Sequence, residues 1–127
     1  SFTLDFRQFE RGLFEEGKRE VEKLIAACAE KRGLKYNFRK AAEAPPVVFD
    51  CEMIRLAERT AAKLGLVSKR MVSGASHDAQ FLSLFCPTVM IFVPSRGGRS
   101  HCPEEWTEAK DLENGCNVLL HSALELV

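Results

Sequence analysis

The sequence predicts an α/β protein in which helices cover short strands, and three patterns support this class. Apolar and polar residues alternate over 2–7 and again over 34–39, as is typical of half-buried strands. The segment 10–32 between them has apolar residues at spacings of three and four, which indicates an amphipathic helix. The run 88–93 ends in five successive apolar residues and is bounded by prolines, which suits a strand covered on both faces.

The other predicted elements follow from their end signals. Gly33 is a stop signal for the first helix, Asp50 can cap a helix over 51–64, and Gly65 can end it. A short strand at 69–72, a short helix at 77–85 and a last helix at 108–126 complete the pattern. The residues expected to face the core are Leu13, Gly17, Val21, Leu24, Ile25 and Cys28 in the first helix, Met53, Ala57, Ala61 and Leu64 in the second, and Leu112, Cys116, Leu119, Ala123 and Leu126 in the last.

Composition excludes several classes of protein. A chain of 127 residues with 46% hydrophobic and 28% charged residues is typical of a soluble globular protein. Its 18 basic and 18 acidic side chains cancel and form no like-charge block, so neither a nucleic-acid nor a membrane partner is predicted. No N-terminal signal pattern is visible. The five widely spaced cysteines predict reduced thiols, mostly in the core, of a cytoplasmic protein.

Four polar residues are candidates for chemistry, and each also has a simpler explanation. His101 follows the apolar run in a Gly-rich loop, where α/β folds bind ligands and an imidazole can bind a divalent metal. One histidine does not complete a catalytic metal site, and an ordinary surface histidine is the simpler interpretation. His77 follows a small-residue turn, and Asp78 can either orient it or simply occupy the first turn of a helix. Arg7 can hold a carboxylate bidentately or be a solvated arginine at a sheet edge.

Two segments resemble the C-terminal signature of one enzyme family. They are SGASHDA at 73–79 and CPTVMIFVPSRGGRSHCPEEWT at 86–107. Both are similar to the amidase, hydantoinase and carbamoylase branch of the two-metal, zinc-peptidase-like hydrolases. Members of this branch include N-carbamoyl-L-amino-acid hydrolase, allantoate amidohydrolase, ureidoglycolate hydrolase and beta-ureidopropionase. The segment FTLDFR at 2–7 also resembles the family's strand ending in D-x-R, and the resemblance extends over nearly the whole chain.

The resemblance implies a two-part organisation and an activity. Residues 1–44 would be the closing strand-helix-strand of an α+β lid or dimerisation domain. Residues 45–127 would be the C-terminal part of an α/β zinc-peptidase-like catalytic domain, with Pro45-Pro46 at the boundary. The implied reaction is hydrolysis of a linear-amide C–N bond in a small carbamoyl or ureido acid, such as an N-carbamoyl amino acid, allantoate or ureidoglycolate. A homodimer is also expected.

The resemblance further implies a role for each candidate residue. His101 matches the family's last metal ligand, in a centre of two divalent ions (zinc, manganese, cobalt or nickel). His77 matches a catalytic histidine beside the substrate carbonyl, and Asp78 would support it. Arg7 matches the arginine that holds the substrate carboxylate. The residues expected to meet the substrate are therefore Arg7, Gly74, Ala75, Ser76 and His77.

Two departures and several missing residues modify this expectation. Ser76 stands where the family has glycine, and Cys102 stands where it has asparagine. The family's other metal ligands and its general-base glutamate have no counterpart in this sequence. We therefore expect the chain alone to bind no metal and to be inactive, as the C-terminal portion of a larger or split enzyme. The alternative is a truncated, non-catalytic relative that acts as a dimerisation or binding module.

Overall fold

Helices are the regular elements of the computed structural model, which describes all residues from 1 to 127. They are α1 (Arg11–Lys31), α2 (Cys51–Lys63), α3 (Asp78–Leu82) and α4 (Ala109–Leu124), with a 3-10 turn at Arg96–Gly98. The chain divides into a first unit of residues 1–48 and 72–80 and a second unit of residues 49–71 and 81–127. No helix is long and apolar enough to cross a bilayer. The assignment of 1–44 to a lid and of 45–127 to a catalytic domain stays a prediction.

The four helices lie where the sequence predicts them, because local signals set their ends. The Asp50 carboxylate accepts hydrogen bonds of 2.9 Å from the backbone N–H groups of Glu52 and Met53, which caps α2. Gly33 and Gly65 follow α1 and α2 with φ of 61° and 71°, a backbone conformation that favours glycine. These predictions are confirmed to within a few residues.

The predicted strands do not form, so the α/β layering predicted from sequence is not confirmed in this chain. Residues 2–7, 34–39, 69–72 and 88–93 have no strand assignment, and no backbone hydrogen bond joins any two of these segments. A strand depends on hydrogen bonds to a neighbouring strand, whereas a helix makes its own. An alternating pattern therefore predicts a strand only where a pairing partner is present.

The prediction of the buried helix faces is wrong for much of α4 and α1. Leu112 and Leu119 in α4 are 50% and 62% exposed, whereas Val118 and Ser122 are buried. In the second unit α4 packs against α2, where the predicted Ala61 is buried as expected. In α1 the buried residues are Phe14 and Ala29, and the predicted face is largely exposed at Leu13, Leu24 and Cys28. Each of these helix faces was expected to pack against a sheet. The structure contains no sheet, so the faces remain exposed.

The cysteines are free thiols, but their predicted position in the core is wrong. Cys102 is partly buried, and the other four are exposed: Cys28, Cys51, Cys86 and Cys116. Cys28 and Cys116 belong to the same uncovered helix faces, so the correction has the same cause.

A cluster of ion pairs connects residues 40–43 to α1 within the first unit. The Lys18 and Lys40 ammonium groups lie 2.9 Å and 2.8 Å from the two carboxylate oxygens of Glu43. Lys18 also lies 2.8 Å from Glu15 and 5.0 Å from the centre of the Phe14 ring. Hydrogen bonds from Lys40 and then Lys18 lower the pKa of Glu43 from 4.5 to about 2.

This cluster predicts a specific acid sensitivity of the first unit. A carboxylate whose pKa is lowered in the folded state stabilises that state above its ordinary pKa of 4.5, and this stabilisation is lost as the pH falls toward about 2. In urea unfolding followed by the amide signals of α1, we expect the midpoint to fall less with acidification in Glu43→Gln than in the unchanged chain. Glu16→Gln, on the same helix without an ion pair, should behave like the unchanged chain. An identical fall in all three proteins would contradict the prediction.

Candidate active site

Arg7 connects two segments of the first unit that are far apart in sequence. Its Nη1 donates a hydrogen bond of 2.9 Å to the backbone carbonyl oxygen of Gly74, 67 residues later. Its Nη2 donates to Oδ2 of Asp5 at 2.6 Å, and its Nε lies 3.1 Å and 3.0 Å from the two Asp5 oxygens. The hydrogen bond from Arg7 lowers the pKa of Asp5, and the same bond raises the pKa of Arg7. Both groups are therefore charged. Both are also exposed, so hydrogen bonds and not burial hold the two side chains in place.

Phe6 anchors the segment that carries this pair. Its ring stacks on the ring of Phe14, with centroids 6.0 Å apart and planes at 20°. The ring also lies directly on α1 at Gly17, where an added Cβ would be only 2.2 Å from Cζ of Phe6. Because Gly17 has no side chain, the Phe6 ring packs closely against α1 at this point. The neighbouring residues Asp5 and Arg7 remain exposed.

The turn that meets Arg7 is held by its own serine. The Ser73 hydroxyl donates to the carbonyl oxygen of Ala75 at 3.1 Å and accepts from the Ala75 N–H at 3.4 Å. Apart from Gly74 itself and its two chain neighbours, no residue has an atom within 4 Å of where a Cβ on Gly74 would be, so the space beside this residue is open. Ser76 is exposed. The structure therefore brings Arg7 together with the predicted substrate-binding turn.

His77 is exposed at the start of α3, and its tautomer is defined by one hydrogen bond. Its Nδ1 accepts a hydrogen bond of 3.0 Å from the backbone N–H of Ala79. Since Nδ1 acts as the acceptor, the ring proton is on Nε2, which is left as a donor. The structure contains no hydrogen bond between Asp78 and His77, and Asp78 occupies the first turn of α3. The supporting role of Asp78 remains a prediction. In the structure, the backbone N–H of Ala79 orients the His77 ring.

His101 lies in the second unit, in a tight turn with an unusual backbone. Its φ is 57°, which non-glycine residues rarely adopt. Its N–H donates to Oε2 of Glu105 at 2.7 Å, and the N–H of Glu105 donates to the Cys102 carbonyl at 3.0 Å. The base of this loop is closed by the N–H of Arg96, which donates to the Trp106 carbonyl at 2.7 Å. The His101 side chain is exposed.

The residues of this chain do not by themselves fit a metal centre. No group of three or more His, Cys, Asp or Glu side chains is arranged to hold a metal ion. A catalytic zinc site uses about three protein ligands, and His101 offers one imidazole. The role of His101 as one ligand of a larger centre stays a prediction.

Two carboxylates at these sites were not predicted from the sequence. Asp5 holds the Arg7 guanidinium, and Glu105 accepts the backbone N–H of His101. The signal for Asp5 was its spacing of two residues from Arg7, which places both side chains on one side of an extended segment. The bond to Glu105 depends on the positive φ of His101, which no local pattern indicates.

Comparison with known proteins defines the class to which this fold and these motifs belong. The model of peptidase family M20/M25/M40 matches residues 6–125, and the chain belongs to this family. Within it, allantoate amidohydrolase of Bacillus subtilis is 36% identical over 118 residues, 93% of this chain and 29% of the relative. N-carbamoyl-L-amino-acid amidohydrolase of Pseudomonas sp. (strain NS671) is 35% identical over 124 residues, 98% of this chain and 30% of the relative.

Solved structures support the same branch of the family. The chain resembles an amidase of the hydantoinase/carbamoylase family from Burkholderia vietnamiensis with a TM-score of 0.83 and 30% identity, covering 91% of this chain and 28% of that one. It resembles AtUAH, solved in complex with glyoxylate, with a TM-score of 0.77 and 33% identity, covering 85% of this chain and 26% of that one. The resemblance to the amidase, hydantoinase and carbamoylase branch is confirmed. The chain spans 26% to 30% of the length of these relatives and structures.

Proposed function

We propose that this chain is the C-terminal portion of an amidohydrolase that cuts a linear-amide C–N bond of a carbamoyl or ureido acid. The observation that carries the proposal is the hydrogen bond between Arg7 and the Gly74 carbonyl, 2.9 Å long, which joins two motifs of the family in one unit. Allantoate and N-carbamoyl amino acids, the substrates in the names of two relatives, each combine a carboxylate with a ureido group. An exposed guanidinium beside an open turn suits the carboxylate end of such molecules.

In the proposed reaction, the first unit binds the substrate and stabilises the negative charge that develops on its carbonyl oxygen. Arg7 fixes the acid end of the substrate through charge-assisted hydrogen bonds. His77 presents an Nε2 donor, and a donor at that position can stabilise negative charge that develops on the ureido carbonyl oxygen. Gly74, whose carbonyl accepts from Arg7, is followed along the chain by Ala75, Ser76 and His77, and we assign the backbone of 74–76 to the substrate contact. This geometry orients a substrate and polarises its carbonyl, and it supplies no attacking nucleophile.

The remaining parts of the reaction would come from polypeptide outside this chain. The family's hydrolases generally use divalent metals, and here His101 would contribute a single ligand. A lone imidazole does not retain a metal pair, so we expect the isolated chain to be inactive and free of stoichiometric metal. The identity of the ion, the homodimer and the cytoplasmic location stay predictions.

A hybrid enzyme tests the proposal. The segment of Bacillus subtilis allantoate amidohydrolase that aligns with this chain would be replaced by residues 1–127, and ammonia release from allantoate and N-carbamoyl amino acids would be measured. We expect turnover by the hybrid and none by the purified chain. A folded, metal-loaded hybrid that is inactive on all these compounds would overturn the proposed activity. Turnover by the isolated chain, with stoichiometric zinc or manganese, would overturn its proposed dependence on other polypeptide.

One observation favours the second candidate, a dimerisation or binding module without catalysis. The uncovered apolar residues of α4, with Leu112 and Leu119 at least half exposed, offer a surface for association. Light scattering distinguishes the candidates when it is combined with the hybrid assay. Stable dimers of the isolated chain together with an inactive, folded hybrid would favour the module.

A further inference from the structure

The Arg7 guanidinium is only partly used by the protein. An arginine side chain has five N–H donors, one on Nε and two on each terminal nitrogen. Asp5 takes the Nε donor and one donor of Nη2, and the Gly74 carbonyl takes one donor of Nη1. One N–H therefore remains on Nη1 and one on Nη2, each on an exposed group.

We infer that Asp5 is a positioning residue, which turns Arg7 so that these two remaining donors face a substrate carboxylate. The inference rests on the proposed function of Arg7. Without Asp5, a long arginine side chain would sample many rotamers, and ordering it on binding would weaken the complex. Asp5 binds one edge of the planar Arg7 guanidinium, and the Gly74 carbonyl accepts one further hydrogen bond from it. The plane and the rotation of the guanidinium are therefore fixed before the substrate binds.

The alternative role for Asp5 is that of a competitor, and the geometry disfavours it. A competing carboxylate would take the donors that the substrate needs. Asp5 instead holds the Nε edge, through Nε and Nη2 at 3.0 Å and 2.6 Å, and leaves one donor on each terminal nitrogen. Its negative charge still repels a second carboxylate, so the two roles predict opposite effects of removing it. Positioning predicts weaker substrate binding, and competition predicts tighter binding.

The chain contains a matched control for this pair. In the second unit, Nε and Nη2 of Arg70 donate to the two Glu58 oxygens at 2.7 Å and 2.8 Å. This is the same bidentate arrangement on an equally exposed arginine, and neither residue belongs to the candidate site. Glu58→Ala therefore removes a comparable ion pair without changing the proposed substrate contacts.

The test uses the ¹⁵N-labelled chain of 127 residues and two small probes, N-carbamoylglycine and its amide, which lacks the carboxylate. Binding is followed through the arginine Nε–H signals. We expect Asp5→Ala to weaken N-carbamoylglycine binding about tenfold, by analogy with the lower end of the loss caused by removing a residue that orients a metal ligand. Asp5→Asn, which keeps an acceptor for Arg7, should recover much of the loss. Binding of the amide should be the same in all variants, which a general loss of structure would not allow.

Each outcome separates the inference from the proposed function beneath it. Equal or tighter binding of N-carbamoylglycine by Asp5→Ala overturns the positioning role and leaves the substrate site standing. A tenfold loss that also appears in Glu58→Ala overturns it as well, since the effect would then be one of general charge. No preference for the acid over the amide in the unchanged chain, with an Arg7 signal still sensitive to Asp5, overturns both proposals.

Discussion

Replacing Arg7 by lysine in the hybrid enzyme should lower kcat/KM for carbamoyl acids about 100-fold, a loss comparable to that from misplacing a substrate by about 1 Å. Lysine retains the positive charge but places all its donors on one nitrogen. It can contact Asp5, the Gly74 carbonyl or a substrate carboxylate, but it does not reproduce the planar set of contacts that Arg7 makes. The effect should therefore arise from geometry and not from charge.

Two comparisons isolate that cause. Arg70→Lys removes an equivalent bidentate pair, with Glu58, in the second unit and should leave kcat/KM unchanged. Substrate analogues in which the carboxylate is replaced by an amide should be hydrolysed slowly, and at similar rates, by the unchanged hybrid and by Arg7→Lys. A variant within threefold of the unchanged hybrid on carbamoyl acids would show that Arg7 does not hold the substrate.

The helices could be predicted from the sequence because their determinants are local. Asp50 caps α2 through the two residues that follow it, and Gly33 and Gly65 adopt positive φ at the ends of α1 and α2. None of these interactions requires a distant segment. The bounds of the helices were therefore available from short stretches of sequence.

The strands and the buried faces could not be predicted in the same way, because both depend on what lies opposite. The run 88–93 has the composition of a fully covered strand, yet in this chain Phe92 is 48% exposed. Leu119 occupies a predicted core position in α4 and is 62% exposed. Apolar periodicity states that a residue is suited to burial, and a covering surface is still needed to bury it.

The candidate site shows the same division between local and distant information. The residues came from motifs that are contiguous in sequence, and the structure adds the contact between Arg7 and Gly74, across 67 residues. The Nδ1 acceptor of His77 depends on the first turn of α3, where the Ala79 N–H is available. Sequence patterns identified the groups, and the fold determines which of their donors remain available for a substrate.

Replacing Gly115 by alanine should destabilise the second unit by about 1–3 kcal/mol, although alanine is normally the better residue inside a helix by about 1 kcal/mol. An added Cβ at Gly115 would lie 2.4 Å from Cγ1 of Val93, far inside van der Waals contact. Valine is restricted at χ1, so Val93 has few low-energy rotamers with which to relieve this contact. The segment 88–94 packs on α4 at this point, immediately before the loop that carries His101.

A double-mutant cycle separates this clash from other effects of the alanine. The Val93 Cβ lies 4.0 Å from the position of the added Cβ, an ordinary contact, so Val93→Ala removes the clash without creating another. In the Val93→Ala background, Gly115→Ala should become stabilising, because only the helix preference remains. The single Trp106 lies in the second unit, and its fluorescence during urea unfolding reports the four free energies. If Gly115→Ala stabilises both backgrounds equally, the close packing of Val93 on α4 is wrong.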